Sequence, residues 1–206
     1  MRTERRDEHG RLIELEVDPA SERDEAEALA SGLTLTRCIE QLRVDLPLRP
    51  DASELHTRHF QPDRDTEAFL TVNNRAFSWH PDQSNWTEAD LQRRMAEPWF
   101  DPAGFLLHER DGRLAGFCWT KVHPATTADP ELGEIFVIAV DPDFHGQGLG
   151  RGLTRAGLAW LAAQGVRVGM LHVEHDNLSA QTLYRDIGFR LHDRHCWWSA
   201  TESDAG

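Results

Sequence analysis

Residues 135–164 constrain the fold of this chain more than any other stretch. Ile135 to Val140 is a clean apolar run, and it has the length and composition of a buried strand. Asp141-Pro142 closes it, and Gly146, Gly148 and Gly150 follow within one turn. From about Leu149 to Gln164 the spacing of apolar residues is helical. Glycines at such a junction let the backbone adopt dihedrals closed to other residues and approach a ligand closely. The first helical N–H groups have no internal partner, and the helix dipole adds partial positive charge there. A strand, a glycine turn and a helix in this order make an anion site suited to a pyrophosphate. A Walker loop would end in Gly-Lys-Ser/Thr, which Gly150-Arg151-Gly152 lacks, and Gly146-x-Gly148-x-Gly150 is not the Gly-x-Gly-x-x-Gly spacing of a dinucleotide fingerprint. A glycine-rich turn with no ligand is the bland alternative.

Around this junction the remaining elements follow from pattern. Residues 1–11 are charged and expected to fray. Leu12–Val17 reads as a strand, Ser21 as the N-cap of a helix stopped by Gly32, and Leu33–Leu46 as a second strand, so residues 1–48 form a β-α-β piece. Pro47-Leu48-Arg49-Pro50-Asp51 signals a linker. Leu55–Phe60 is a strand candidate and Pro62–Phe77 a helix. Thr87-Glu88-Ala89-Asp90 opens another helix with a capping-box variant. Phe105–Glu109 and Leu114–Lys121 flank Asp111-Gly112, a strong hairpin signal. After the glycine turn and its helix come a strand at Arg167–Val173, a helix at Asn177–Ile187 stopped by Gly188, and a last strand at Phe189–Ser199. The fold class is α/β, a mixed sheet flanked by helices. The expected organisation is an extension and linker over residues 1–50, a main domain over 51–200, and a disordered tail at 201–206.

Composition narrows the function classes. The chain has 206 residues, enough for one α/β domain plus an appendage. No apolar run approaches the roughly 20 residues of a membrane span, and no signal peptide is visible, which points to a cytoplasmic protein without a membrane partner. Lys and Arg number 22 against 35 Asp and Glu, a net charge of −13, so a nucleic-acid partner is not expected. Cys38, Cys118 and Cys196 are far apart and lack a Cys-x-x-Cys pattern, so they are expected to be thiols used as small hydrophobes. His172 and His175 fall on opposite faces of their strand, so no metal is expected there. No Gly-x-Ser-x-Gly elbow is present to support a serine hydrolase.

The segment His145-Gly146-Gln147-Gly148-Leu149-Gly150 resembles the signature Gln/Arg-x-x-Gly-x-Gly/Ala of the GNAT superfamily of acetyl-CoA-dependent acyltransferases, with His145 at the Gln/Arg position. Asn177…Tyr184-Arg185-Asp186-Ile187-Gly188-Phe189 is similar to the family's ending, and the element order from Leu55 onward matches. Asn73-Asn74-Arg75-Ala76-Phe77, His80-Pro81-Asp82-Gln83, Glu97-Pro98-Trp99-Phe100-Asp101-Pro102, Trp119-Thr120-Lys121-Val122-His123-Pro124 and Gly133-Glu134 resemble the C-terminal half of the mycothiol synthases, which carry two tandem GNAT domains. Residues 12–48 are similar to the closing β-α-β of a first such domain, so the GNAT fold here carries a partial N-terminal extension.

The resemblance implies acetyl transfer from acetyl-CoA directly to a primary amine, without a metal and without an acyl-cysteine. A bulge in the fourth strand of the family fold would splay it from the fifth. The backbone of Ile138, Ala139 and Val140 would meet the acetyl-pantetheine end. His145, Gly146, Gln147, Gly148, Leu149, Gly150 and Arg151 would hold the pyrophosphate. Asn177, Leu178, Ser179, Ala180, Gln181 and Thr182 would line the other wall of the cofactor groove. Strand alternation puts Glu134 on one face with Phe136 and Ile138, where its carboxylate would bind the acceptor ammonium and take its proton. Tyr184 would protonate the departing thiolate. Asp82, Lys121, Glu134 and His172 would contact the acceptor, a small polar molecule, with Trp79, Trp86, Trp99 and Phe100 as candidate walls. The acceptor implied is a cysteinyl-glucosaminyl-inositol. A different small amine, a protein N-terminus, or a non-catalytic acyl-CoA-binding module are the alternatives. Monomer and homodimer both remain open.

Overall fold

Two capping boxes and two kinds of glycine stop lay out most of the helices. The computed structural model describes residues 1–50, 55–78 and 85–201. In chain order the elements are β1 (Arg2–Arg6), β2 (Leu12–Val17), α1 (Glu22–Ala30), β3 (Leu33–Asp45), β4 (Arg58–His59), α2 (Pro62–Ala76), α3 (Glu88–Met95), β5 (Phe105–Arg110), β6 (Arg113–His123), β7 (Leu132–Val140), α4 (Leu149–Ala163), β8 (Val168–Glu174), α5 (Leu178–Ile187) and β9 (Arg190–Ala200). Thr87 caps α3, with its side chain accepting from the Asp90 N–H and the Asp90 carboxylate accepting from the Thr87 N–H, and Ser21 with Asp24 does the same for α1. Asp111 and Gly112 have φ of 52° and 72°, the paired left-handed values that a two-residue hairpin turn requires.

The chain divides into two units, residues 1–43 with 172–206, and residues 44–171. In the first, β1, β2, β9 and β3 pair antiparallel in that order. Leu12, Leu15, Val17, Ala28, Leu33 and Trp198 form its core. The charged N-terminus was expected to fray, but β1 pairs with β2 from Arg2↔Val17 to Arg6↔Leu12. Main-chain ladder bonds and charge pairs hold it, Arg5 on Glu14 and Arg2 on Glu4, Asp24 and Glu27, so no apolar alternation is needed. The cysteine expectation is also corrected. Cys38 and Cys196 are direct register partners with Cα atoms 4.0 Å apart, and they are joined as a disulfide. Cys118 alone is a free thiol, and burial pushes its pKa up to about 12, as befits a packing residue.

In the second unit β7, β6, β5 and β4 pair antiparallel, and β7 pairs in parallel with β8 over Leu132–Glu134 and Val168–Met170. The strand expected at 55–60 is limited to Arg58–His59. One face of this sheet carries an aromatic core in which Phe69 of α2 packs edge-on against Phe105 and Phe117, and Phe105 stacks on Trp119. The opposite face takes α4, whose Leu153, Leu158 and Leu161 are fully buried. α4 lies close because Gly157 has no side chain. A Cβ there would come within 2.5 Å of the Cys118 Sγ and 2.8 Å of the Ile135 Cδ1.

Candidate functional site

A register shift opposite Trp119 and Thr120 defines the site end of β7. Trp119 pairs with Val137 and Thr120 with Ile135, so Phe136 is the extra residue of a bulge. The bulge expected in the fourth strand of the family fold is therefore present. It also corrects the alternation expected for β7. Ile135 faces α4, next to Gly157, whereas Val137 and Ala139 belong to the aromatic core on the other face. Ile138 pairs with Cys118 and shares its face, toward α4. Phe136 remains with the aromatic core. Glu134, opposite Lys121, shares the face of Phe136 but not that of Ile138.

Glu134 is 8% exposed, a buried carboxylate at the end of the β7–β8 ladder pairs. Burial of a charge requires partners. His123 supplies one: its Nε2 lies within hydrogen-bond distance of the Glu134 Oε2, at 2.7 Å. Lys121 and His123 are two residues apart on β6 and so project to the same face as Glu134. The Lys121 ammonium sits 4.8 Å above the Trp99 ring and 5.6 Å from that of Phe136, and Trp99 and Phe136 meet edge-on at 4.9 Å. A carboxylate, a cation, an imidazole and an aromatic wall thus converge on one edge of the second unit. Sequence reasoning missed His123. Its signal was the two-residue spacing from Lys121.

Downstream, β7 feeds the glycine loop through two carboxylates. Asp141 is fully buried. It accepts from Arg75 at 2.7 Å and from the Asp143 N–H at 2.9 Å. Arg75 and Arg113 grip Asp143 at 2.9 and 2.8 Å and hold its carboxyl at about 2, well below the usual range. Gly146 and Gly148 both have φ of 76°, left-handed backbone that other residues rarely adopt, and open space surrounds the position of a Cβ at each. Gly148 is the N-cap of α4 and brings no side chain over the helix end. A 15-residue helix with a bare, open N-terminal turn fits a diphosphate. His145 turns inward, its Nε2 donating to the Val140 carbonyl at 3.0 Å, and the Gln147 side chain accepts from Arg110. Both side chains brace the loop.

Of the remaining predicted residues, Trp86 and Phe100 pack against the aromatic core of the second unit, and the others outside the glycine loop lie in the first unit or outside the described residues. Asn177 caps α5 by accepting from the Ala180 N–H at 3.1 Å, and Gln181 donates to the His175 carbonyl at 2.7 Å. Leu178, Ser179 and Thr182 are exposed. Tyr184 is buried, its ring 5.7 Å from Phe189, and Gly188 ends α5 in the left-handed conformation. His172 is exposed beside Gln41, at 3.3 Å, and His175 bonds to Glu40 at 2.8 Å. Asp82 and Trp79 lie outside the described residues.

A family model described as the acetyltransferase (GNAT) family matches residues 68–189. The chain belongs to the GNAT acetyltransferase family. The family takes acetyl-CoA as its acetyl donor. A mycothiol acetyltransferase of Thermobispora bispora is 49% identical over 171 residues, covering 80% of this GNAT chain and 58% of the relative. One from Streptomyces griseus is 46% identical over 169 residues, covering 79% and 53%. The chain thus spans a little over half the length of the curated relatives it matches. Among solved structures, a GCN5-related N-acetyltransferase from Sphaerobacter thermophilus superposes with a TM-score of 0.70 at 22% identity, covering 89% of this chain and 57% of the other. A tandem GNAT protein of clavulanic acid biosynthesis gives 0.55 at 20% identity, covering 92% and 64%. These likenesses show the fold. No helix among the described residues is long and apolar enough to cross a membrane.

Proposed function

We propose that this chain transfers the acetyl group of acetyl-CoA directly to the primary amine of a cysteinyl-glucosaminyl-inositol, the mycothiol acetyltransferase reaction. The observation that carries the reading is the buried Glu134 carboxylate on the bulged strand that leads into the glycine loop. Acetylation converts an ammonium and a thioester into an amide and a thiol, so the nitrogen gives up two protons. Glu134 takes the first as the ammonium docks, and the freed lone pair attacks the thioester carbon. As the C–S bond breaks, Tyr184 protonates the thiolate, and the second nitrogen proton restores the phenol by way of solvent. The backbone of Ile138, Ala139 and Val140 binds the pantetheine end, beyond the last β7–β8 ladder pair at Glu134↔Met170. The amides of His145–Arg151 hold the diphosphate, and Asn177–Thr182 are assigned to coenzyme binding. Lys121, Asp82 and His172 meet hydroxyls of the acceptor. Residues 1–50 act as a GNAT-like extension to a main domain over 51–200.

The test is turnover. Purified protein with acetyl-CoA and the cysteinyl pseudodisaccharide should release free CoA thiol, and Glu134→Gln should lower kcat by roughly 10²-fold, the usual worth of a general base. Acetylation of another amine with none of the pseudodisaccharide would change the acceptor and keep the chemistry. Coenzyme binding with no turnover on any amine would leave a binding module.

A further inference from the structure

We propose that His123 is a positioning residue for the base: its imidazole Nε2–H locks one oxygen of the Glu134 carboxylate and turns the other toward the acceptor ammonium. The inference rests on Glu134 acting as the base, but it adds a residue with a separable role.

The geometry is specific. The two groups stand 2.7 Å apart, a charge-assisted distance. An ionised carboxylate only accepts, so with Glu134 ionised it is the Nε2–H that donates. The bond bridges two strands. His123 is register partner to Leu132, one diagonal step from Glu134, so neither main chain needs to move for the side chains to meet. Exposure is unequal, 10% for the Glu134 side chain and 32% for that of His123. The carboxylate has therefore lost most of its water, and the imidazole donates in water's place.

Loss of this donor would loosen the hold on the carboxylate's last torsion, whose preference is broad. Proton transfer needs the accepting oxygen within hydrogen-bond reach of the ammonium, so an unfixed carboxylate spends much of its time misaligned. Lys121, in register with Glu134, does not substitute, because its ammonium is drawn over Trp99 at 4.8 Å. His123 thus acts through Glu134, and the part it plays is donation, not size.

Three variants separate this role from packing. His123→Gln keeps an N–H donor at a similar reach, His123→Leu keeps the bulk and removes the donor, and Glu134→Gln removes the base. They are assayed with acetyl-CoA and the cysteinyl pseudodisaccharide or, if that is not acetylated, with the amine from an acceptor panel that is. The expected result is a kcat loss of about tenfold or more in His123→Leu, recovery to within about threefold of the parent in His123→Gln, and an unchanged KM for acetyl-CoA in both. Equal kcat in parent and His123→Leu, while Glu134→Gln is impaired, overturns the positioning role and leaves the base reading standing. Equal losses in His123→Leu and His123→Gln also overturn it. Full activity in Glu134→Gln removes the base and the positioning role together. Thermal melting of each variant identifies a misfolded protein, and His123→Asn, a shorter donor, then replaces any variant that fails to fold: kcat nearer to the parent than that of Glu134→Gln supports donation, and kcat no better than Glu134→Gln overturns it.

Discussion

Arg75, in the last turn of α2, donates across 2.7 Å to the carboxylate of Asp141, a side chain only 2% exposed at the end of β7. Asp141 also accepts from the Asp143 N–H, and its own N–H is bonded to the Ala115 carbonyl at 2.9 Å. Three elements are thus tied together one turn before the glycine loop. Asp141→Ala strips a partner from Arg75 and from a main-chain donor, and is expected to cost about 1–3 kcal/mol. Because the turn sets the path into the loop, KM for acetyl-CoA should rise in the same variant. Urea unfolding and steady-state kinetics check the two halves. A destabilised variant with an unaltered KM would detach the turn from coenzyme binding.

Acid should weaken this same region in a defined direction. Arg75 and Arg113 hold the Asp143 carboxyl at about 2, against an ordinary 3.8. The folded protein therefore keeps Asp143 ionised where the unfolded chain binds a proton. That contribution is complete above about pH 4 and is lost as pH falls through about 2. Asp65 adds to the trend. Its burial opposes ionisation, but two bonds from Arg58 and one from the Gln61 N–H lower its pKa overall. Urea midpoints measured from pH 6 to pH 2.5 should fall, and Asp143→Asn should flatten the lower part of that curve.

Two glycines of the same helix region should respond in opposite ways. Gly148 has left-handed backbone and open space around it, so Gly148→Ala meets no neighbour and costs about 1–2 kcal/mol of backbone strain. The loop would relax away from its conformation, and KM for acetyl-CoA should rise with little change in kcat. Gly157 has ordinary dihedrals but no room, with Cys118 Sγ 2.5 Å from a new Cβ. Gly157→Ala should cost about 1–3 kcal/mol through overpacking and leave KM near the parent value. Coenzyme titrations alongside melting curves would expose any exchange of these outcomes.

Local chemistry made much of this readable in the sequence. The N-cap at Ser21, the capping box at Thr87, the Asp111-Gly112 turn, the Gly188 stop and the strand–glycine–helix junction each depend on residues within a few positions of one another. What escaped was non-local. The Cys38–Cys196 bond closes across 158 residues. The pairing of β1 rests on cross-strand charges that no apolar pattern announces. A bulge was implied by the family resemblance, but its position at Phe136 appears only in the register against β6, and it reverses the face on which Ile138 lies. His123 follows the same logic: its partner is 11 residues away, across a strand boundary, and only the paired strands bring imidazole and carboxylate together.

Tyr184 offers the sharpest division between packing and chemistry. It is the only tyrosine in the chain, buried on α5 with its ring against Phe189. Tyr184→Phe keeps the ring, its edge-on contact and the apolar area, and melting curves report what the loss of the hydroxyl costs. It removes the one proton that the reading assigns to the departing thiolate. A thiolate leaving unprotonated is a poorer product of C–S cleavage, and kcat should drop by about 10²-fold while KM for both substrates stays within a few-fold. The loss should shrink with acyl donors whose thiols are more acidic, since their thiolates need the proton less. A kcat equal to the parent, or a loss independent of the leaving thiol, would take the phenol out of the chemistry and return Tyr184 to the packing of α5.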